Sequence, residues 1–386
     1  MKPVLDILAQ ETAWHTEKLR SFATQNFVNI RFSDNLMILN YQDDIENDEW
    51  NDFNSQCRGI IFDLHTKALI AHPYDKFFNL DAHPETKSHL LPYSSGYEIA
   101  EKYDGSMVTA FEWQGQVRFA TRSSFDNLQT NLAATIFTSK YPKLSEVPFQ
   151  KYTLVFEIIS PENQMIIPTT ENDLILIGVR DLIENRMLSY AEVINFAKPY
   201  ELRPLSLIAK TFDALLSEAK DGNTDTFEEG WVVRFGTGLY VKMKTWQYLA
   251  HRHIQSLGLT KKQLLKTYCD ANKSQWEKFV MNLPTSETQE AVSQFGALID
   301  AKFLEISAQA AEYYQGFSHI DSQKDFALAI QTAVPQKFVV LLFNLRSGKS
   351  LEISIRKKYE DHIQDALLED VVHPAMIKEW AFAQKD

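Results

Sequence analysis

The hydrophobic pattern divides the chain into two parts of different character. Between residues 27 and 245, apolar and polar residues alternate in short runs separated by turn residues. Alternation with a period of two predicts strands, because successive side chains of a strand point to opposite faces. Beyond residue 245 the apolar residues recur at helical spacing over long stretches. We therefore predict an α+β fold with an antiparallel-sheet domain over residues 1–248 and an all-helical domain over residues 249–386.

The same pattern predicts individual elements. Strands are expected at residues 27–32, 36–41, 58–63, 107–113, 117–120, 153–159, 174–179, 230–235 and 239–243. Helices are expected at residues 1–25, 126–141, 190–197, 211–221, 261–282, 287–314, 325–334, 336–346, 351–370 and 374–384. Because few helices separate the strands, an antiparallel arrangement is favoured over a doubly wound parallel sheet.

Composition narrows the class of protein. The chain has 386 residues, of which 45% are hydrophobic and 23% charged, as in an ordinary globular protein. No run approaches 18 apolar residues, so we predict no membrane contact. The N-terminus reaches Asp6 before a signal-peptide core could form. Cys57 and Cys269 lie too far apart for a disulfide framework and fit reduced thiols, which predicts a cytoplasmic location.

Net charge excludes one mode of action. At −12, the chain is too acidic to coat nucleic acid through bulk positive charge. An enzyme that binds a few phosphates at one site remains compatible with that charge, because its basic residues need only be concentrated locally.

One run carries candidate chemistry. Residues 101–106 read Glu-Lys-Tyr-Asp-Gly-Ser, with apolar stretches on both sides. The amine of Lys102 is nucleophilic only when unprotonated, and its free pKa is about 10.4. It therefore requires surroundings that disfavour the ammonium form, such as burial or nearby positive charge. Gly105 would let the backbone approach a phosphate closely. Taken alone, the run is more typical of a solvated Asp-Gly turn than of a catalytic site.

Four other patterns supply what nucleotidyl transfer requires. They are Cys-Arg-Gly-Ile at 57–60, Lys-Phe-Phe-Asn-Leu at 76–80, Phe-Glu-Ile-Ile at 156–159, and Glu-Glu-Gly-Trp-Val-Val at 228–233 with Tyr-Val-Lys-Met-Lys at 240–244. Each alone has an ordinary structural explanation, such as a core aromatic pair or a solvated strand edge. Together they provide cations for a triphosphate and carboxylates for a ribose and a metal. The residues are Arg58, Lys76, Lys242, Lys244, Glu157 and Glu229.

These motifs, in this order, resemble the covalent nucleotidyltransferase superfamily of ligases and capping enzymes. Residues 57–60, 76–80 and the run Lys-Met-Lys-Thr-x-x-Tyr at 242–248 resemble the T4 RNA ligase 1 family more closely, as does the helical C-terminal part. The resemblance implies a nucleotidyltransferase domain followed by a helical domain tied to RNA-substrate specificity. It also implies an ATP-dependent RNA ligase that joins 5′-phosphate and 3′-hydroxyl ends through lysyl-AMP and adenylylated RNA, with a role in RNA or tRNA repair.

The resemblance also implies residue roles. Lys102, Lys242 and Lys244 would be catalytic, and Glu157 and Glu229 would serve Mg²⁺ (or Mn²⁺). The nucleotide-binding set would be Tyr41, Arg58, Lys76, Phe78, Asp104, Gly105, Arg122, Glu157, Glu229, Gly230 and Tyr248. Two members depart from the family pattern: Arg122 stands where the family places a lysine, and the sequence around Tyr41 differs.

Partners and alternatives follow from the same resemblance. The substrates would be RNA ends, with nicked tRNA among the candidates, and the protein would be a monomer. A functional pairing with a polynucleotide kinase-phosphatase is compatible with this.

A DNA ligase or an mRNA-capping guanylyltransferase would share most motifs, but those enzymes usually continue into an OB β-barrel. The helical pattern after Lys244 counts against both. A non-catalytic RNA-binding relative also stays open.

Overall fold

The described part of the chain has the predicted α+β architecture. The computed structural model describes residues 2–221, 227–257, 261–283, 286–351, 355 and 367–368. These residues fall into two compact units. The first is formed by Met1–Ala219 and Glu228–Thr245, and the second by Lys220–Phe227 and Trp246–Asp386.

The first unit contains all the strands that the structure describes. They are β1 (Val28–Ser33), β2 (Leu36–Tyr41), β3 (Arg58–Asp63), β4 (Leu69–Ala71), β5 (Phe78–Asn79), β6 (Tyr97–Glu101), β7 (Ser106–Trp113), β8 (Gln116–Ala120), β9 (Tyr152–Ile159), β10 (Asp173–Asp181), β11 (Arg186–Met187), β12 (Arg203–Pro204), β13 (Gly230–Phe235) and β14 (Tyr240–Lys244). Its helices are α1 (Val4–Thr12), α2 (Thr16–Gln25), α3 (Leu128–Lys140), α4 (Tyr190–Ala197) and α5 (Phe212–Asp221).

Three sheets form this unit. The first has the order β1-β2-β3-β4, the second β11-β10-β9-β7-β8 with β12 beside β10, and the third β5-β14-β13-β6. Pairing is antiparallel except between β10 and β12 and between β14 and β5. Residues of the second and third sheets belong to one buried cluster, in which Phe156 of β9 and Tyr240 of β14 are both members. Strands of these two sheets therefore contribute apolar side chains to one core.

The second unit has helices, joined by turns, as the regular secondary structure of its described residues. It contains α6 (Trp246–Leu257), α7 (Lys261–Asp270), α8 (Lys273–Met281), α9 (Ser286–Phe317), α10 (Gln323–Ala333) and α11 (Gln336–Arg346). Its core is built from apolar side chains at helical spacing, and those that are almost fully buried include Leu264, Phe279, Phe295, Phe326 and Phe338. None of the helices in the described ranges is long and apolar enough to cross a membrane.

Most predicted elements are confirmed, but two segments, each predicted as one helix, form two helices. The helix predicted over residues 1–25 is divided because Ala13 and Trp14 adopt left-handed backbone angles, with φ of 46° and 58°. The stretch 261–282 is divided because Asn272 caps α8 by accepting a hydrogen bond from the Gln275 backbone amide. The predicted helices at 351–370 and 374–384 fall almost wholly outside the described residues.

A buried ionic network fixes the segment between β4 and β5. Arg180 of β10 is 3% exposed, forms an ion pair with Asp75 at 2.9 Å, and donates from Nε to the carbonyl of Pro73 at 3.1 Å. His72 also contacts Asp75, at 2.9 Å. Burial acts to raise the pKa of Asp75, but Arg180 and His72 outweigh it and hold that pKa well below its ordinary value. The network therefore anchors the chain immediately before Lys76.

We expect Asp75→Asn to lower the free energy of unfolding by about 3 kcal/mol, because it leaves the buried Arg180 guanidinium without its counter-charge. Urea denaturation at neutral pH measures this. The matched control is Asp126→Asn, since Asp126 is exposed and its replacement should change stability by less than about 0.5 kcal/mol. Equal stabilities of the two variants would contradict this account of the network.

Candidate active site

The ends of three neighbouring strands converge on Glu229. Lys102 follows the last residue of β6, and its backbone amide donates to the carbonyl of Gly230 at 2.9 Å. Lys244 ends β14 and is paired in register with Gly230. Glu229, directly before β13, therefore lies between both lysines, with 2.7 Å from Oε2 to Lys102 Nζ and 2.7 Å from Oε1 to Lys244 Nζ. Glu229 is 3% exposed and the Lys102 side chain 21%, so Lys102 is partly exposed while its partner is buried.

Two glycines permit this convergence. A Cβ on Gly230, whose φ is 137°, would lie 2.0 Å from the Met243 carbonyl oxygen. A Cβ on Gly105 would lie 2.1 Å from the carbonyl oxygen of Ile158 on β9. Neither position accommodates a side chain. The Asp-Gly turn after Lys102 is thereby held against the strand that carries Glu157.

Glu157 lies in a polar pocket of mixed charge. Burial raises the pKa of its carboxyl to about 7, and the negative charges of Glu229 and Asp104 add to the rise. Lys102 and Arg58 oppose it. Glu157 therefore changes protonation state close to neutral pH, unlike an ordinary glutamate.

Asp104 fixes local structure through one of its oxygens. Its Oδ2 accepts hydrogen bonds from the backbone amides of Ile166 and Ile167, at 2.7 and 2.6 Å. These bonds tie the turn at Lys102 to the segment between β9 and β10. The predicted nucleotide contact of Asp104 is not tested by this arrangement and stays a prediction.

A cluster of cations surrounds Lys242 of β14. Burial, followed by neighbouring positive charge, lowers the pKa of this lysine to about 6. Its Nζ lies 4.4 Å from the centre of the Phe77 ring, and the guanidinium of Arg58 lies 5.2 Å from the same ring. Arg58 Nη1 is buried without a hydrogen-bond partner. The charges that act on Lys242 are those of Arg58, Lys76, Lys102 and Lys244.

Tyr41 and Arg122 extend this cluster. Arg122 Nη1 lies 3.5 Å from the Tyr41 hydroxyl, and its Nη2 donates to Asp43 at 2.8 Å. Burial acts to raise the pKa of Tyr41, but the charges of Arg58, Lys76 and Arg122 outweigh it and lower that pKa. Gly59, with φ of 89°, lets the backbone of Arg122 approach β3, since a Cβ there would lie 2.9 Å from Arg122 Cα. Arg122 therefore lies at the edge of the same cluster.

Comparison with known proteins shows which family the chain belongs to. A model of the RNA ligase family of the T4 ligase 1 type matches residues 56–251, half of the chain, a range that includes Arg58, Lys102, Glu229 and Lys244. The chain belongs to the RNA ligase family.

Individual relatives match over shorter regions. A candidate RNA ligase of Thermovibrio ammonificans is 36% identical over 129 residues, which are 33% of this chain and 34% of that protein. RNA ligase 1 of bacteriophage TS2126 is 24% identical over 161 residues, 38% of this chain and 39% of that protein. The matches thus span little more than a third of these relatives. A Naegleria gruberi RNA ligase variant solved with ATP and Mn is 18% identical with a TM-score of 0.35, covering 41% of this chain and 51% of that one.

Two predicted nucleotide contacts of this RNA ligase family member are placed differently from the rest. Tyr248 is buried in α6, within the second unit. Phe78 lies near Lys76 but stacks on His83, with ring centres 4.0 Å apart and planes 6° apart. One face of Phe78 is therefore covered by a protein side chain. Trp50, which no motif in the sequence marks, contacts both Tyr41 and Phe78, and its only signal in the sequence is an aromatic residue within an acidic stretch.

The side chains of this site fit a bound polyphosphate better than a metal ion whose ligands all come from the protein. In the ranges that the structure describes, no group of three or more His, Cys, Asp or Glu side chains is arranged to hold a metal ion. Both oxygens of Glu229 are engaged by lysines, which leaves Glu157 as the carboxylate beside the cations. Mg²⁺ is commonly held by one or two carboxylates together with substrate phosphates, and this donor set is compatible with that mode. The unpartnered Arg58 Nη1 and the crowded cations favour a bound polyanion.

We expect net proton uptake when a polyphosphate binds at pH 7.5. At that pH Lys242 is mostly neutral because its pKa is about 6, and a bound anion raises that pKa, so the amine gains a proton. Calorimetric titration with pyrophosphate in buffers of different ionisation enthalpy measures the uptake. Lys242→Met should reduce it, whereas Lys143→Met, which removes an exposed lysine paired with Glu201, should not. The same uptake in both variants would contradict the assignment.

Proposed function

We propose that the protein is an ATP-dependent RNA ligase that joins 5′-phosphate and 3′-hydroxyl RNA ends. The observation that carries this proposal is the contact of Lys102 with Glu229, set beside the cluster of cations around Lys242. Membership of the RNA ligase family supports it. A reachable amine next to a polyphosphate site is the arrangement that nucleotidyl transfer to a lysine requires.

In the first step, Lys102 Nζ attacks the α-phosphorus of ATP. A nitrogen–phosphorus bond forms, the bond to the β-phosphate oxygen breaks, and pyrophosphate leaves. The amine must first lose its proton, and Glu229 is a carboxylate within hydrogen-bond reach, at 2.7 Å. The hydrogen bond from the Lys102 amide to Gly230 holds the nucleophile in position. This supports positioning as a main contribution of the protein.

The surrounding cations serve the phosphates. Arg58 and Lys76 would bind the triphosphate, and Lys242 and Lys244 would hold the α-phosphate and stabilise the charge that develops on pyrophosphate. Mg²⁺ or Mn²⁺, held by the nucleotide phosphates with Glu157, would supply further charge neutralisation. Lys244 is oriented for this role by its contact with Glu229.

The later steps use the adenylylated protein. AMP passes from Lys102 to the 5′-phosphate of one RNA end, and the 3′-hydroxyl of another end then attacks that activated phosphate and releases AMP. We place this activity in RNA repair, with nicked tRNA among the substrates and a kinase-phosphatase as a functional partner. The free thiols of Cys57 and Cys269 support a reducing, cytoplasmic setting. We assign transfer to residues 1–248 and RNA-substrate choice to the helices of residues 249–386, in a monomeric protein.

With ATP and magnesium, we expect the protein to seal 5′-phosphorylated RNA at least about tenfold faster than DNA of the same sequence, because a ribose 2′-hydroxyl adds contacts that DNA lacks. Gel assays with labelled ends measure the two rates, and GTP in place of ATP is the matched control. Faster sealing of DNA would favour a DNA ligase. Transfer from GTP without sealing would favour a capping enzyme, and neither transfer nor sealing would favour a non-catalytic RNA-binding protein.

A further inference from the structure

Lys76 is surrounded by aromatic rings. Its Nζ lies 4.9 Å from the centre of the Tyr41 ring, 4.8 Å from Trp50 and 5.0 Å from Phe78. The rings also contact one another: Trp50 meets Tyr41 edge-on at 5.1 Å and Phe78 edge-on at 5.4 Å. We call Tyr41, Trp50 and Phe78 the aromatic cage. Trp50 is its central member, because it joins the other two.

This environment differs from that of the other lysines in the site. Lys102 and Lys244 are both paired with Glu229, so part of their charge is neutralised. The described stretches of the chain bring no carboxylate into ion-pair contact with Lys76. Ring faces attract an ammonium through their quadrupole but carry no net charge. The cage therefore restricts the position of Lys76 without cancelling its charge.

The cage is held by rigid local structure. The amide of Asn51 donates to Asn54 Oδ1, and the amide of Asn54 donates to Asn51 Oδ1, both at 2.9 Å, so the turn after Trp50 is locked. The backbone amide of Lys76 donates to the Ser55 carbonyl at 2.7 Å, which joins this turn to the Lys76 segment. Tyr41 ends β2, and Phe78 is fixed by its stacking on His83.

We propose that Trp50 is a positioning residue that, through the aromatic cage, presents the uncancelled charge of Lys76 to the phosphates of ATP that leave as pyrophosphate. This rests on the proposed function for the identity of the ligand. Trp50 acts through Lys76 and need not touch the nucleotide itself. Its effect should be confined to the reaction with ATP and its reversal by pyrophosphate, because RNA that is already adenylylated holds AMP through a diphosphate bridge and has no β- and γ-phosphates to release.

The test compares Trp50→Ala, Trp50→Phe and Trp113→Ala with the full-length wild type. Trp113 ends β7, is also half-buried, and lies outside the cage, so it controls for loss of a tryptophan. Three quantities are measured: KM and kcat for adenylylation by ATP, the rate of sealing of pre-adenylylated RNA, and the calorimetric Kd for pyrophosphate. Thermal melting checks that each variant folds.

We expect Trp50→Ala to raise KM for ATP and Kd for pyrophosphate about tenfold, as loss of a partly buried cation–π contact would. Trp50→Phe, which keeps a ring, should recover most of the loss, and sealing of pre-adenylylated RNA should stay within about twofold of wild type. Wild-type behaviour of Trp50→Ala towards ATP and pyrophosphate would overturn the proposal. So would an equal loss in both the ATP-dependent and the ATP-independent reaction, because that indicates a general structural role.

The result also separates this inference from the proposed function. If Trp50→Ala weakens pyrophosphate binding while the wild type forms no covalent adduct with ATP, the cage is supported and the ligase is not. If the wild type is adenylylated and seals RNA while Trp50→Ala matches it in every reaction, the ligase is supported and the cage is overturned.

Discussion

The Glu229 carboxylate is the interaction on which the rest of the site depends. It is almost fully buried, and a buried carboxylate is costly unless it is paired. Each of its two oxygens forms an ion pair with one ammonium group, that of Lys102 or that of Lys244. The pairing of β6, β13 and β14 brings both lysines next to Glu229. Gly230 makes that strand pairing sterically feasible. Removing the carboxylate would leave two largely buried lysines close together without a counter-charge between them.

Around this ion triad the site brings together the positive charges of Arg58, Lys76, Lys102 and Lys244, although the whole chain has a net charge of −12. Burial, followed by these neighbouring charges, lowers the pKa of Lys242, and Arg58 Nη1 is buried without a hydrogen-bond partner. Lys76 is stabilised by rings in place of an acid. A polyphosphate ligand would supply negative charge to Lys242, Arg58 and Lys76 together. The basic residues are concentrated where a nucleotide would bind. Because the chain as a whole is acidic, it can bind phosphates only through such a local concentration of positive charge.

Much of this arrangement could be predicted from sequence because it depends on local signals. The alternation in residues 153–159 and 230–235 gave β9 and β13, and the motif residues Lys102, Glu229 and Lys244 are found together. The contact of Trp50 with Lys76 could not be predicted: no motif near Trp50 indicates that it meets Lys76, since their approach depends on the turn at Asn51 and Asn54. Helix breaks at Ala13 and Asn272 were missed because backbone angles and caps override apolar periodicity.

The central claim is that Lys102 carries the nucleotide. The most direct measurement is peptide mapping by mass spectrometry after the full-length protein has been incubated with ATP and magnesium. The account predicts AMP on the peptide that contains Lys102 and its removal by added pyrophosphate. Lys102→Arg, which keeps a cation beside Glu229 but lacks a nucleophilic amine, should carry none. AMP attached to any other residue, or adenylylation that persists in Lys102→Arg, would contradict the account.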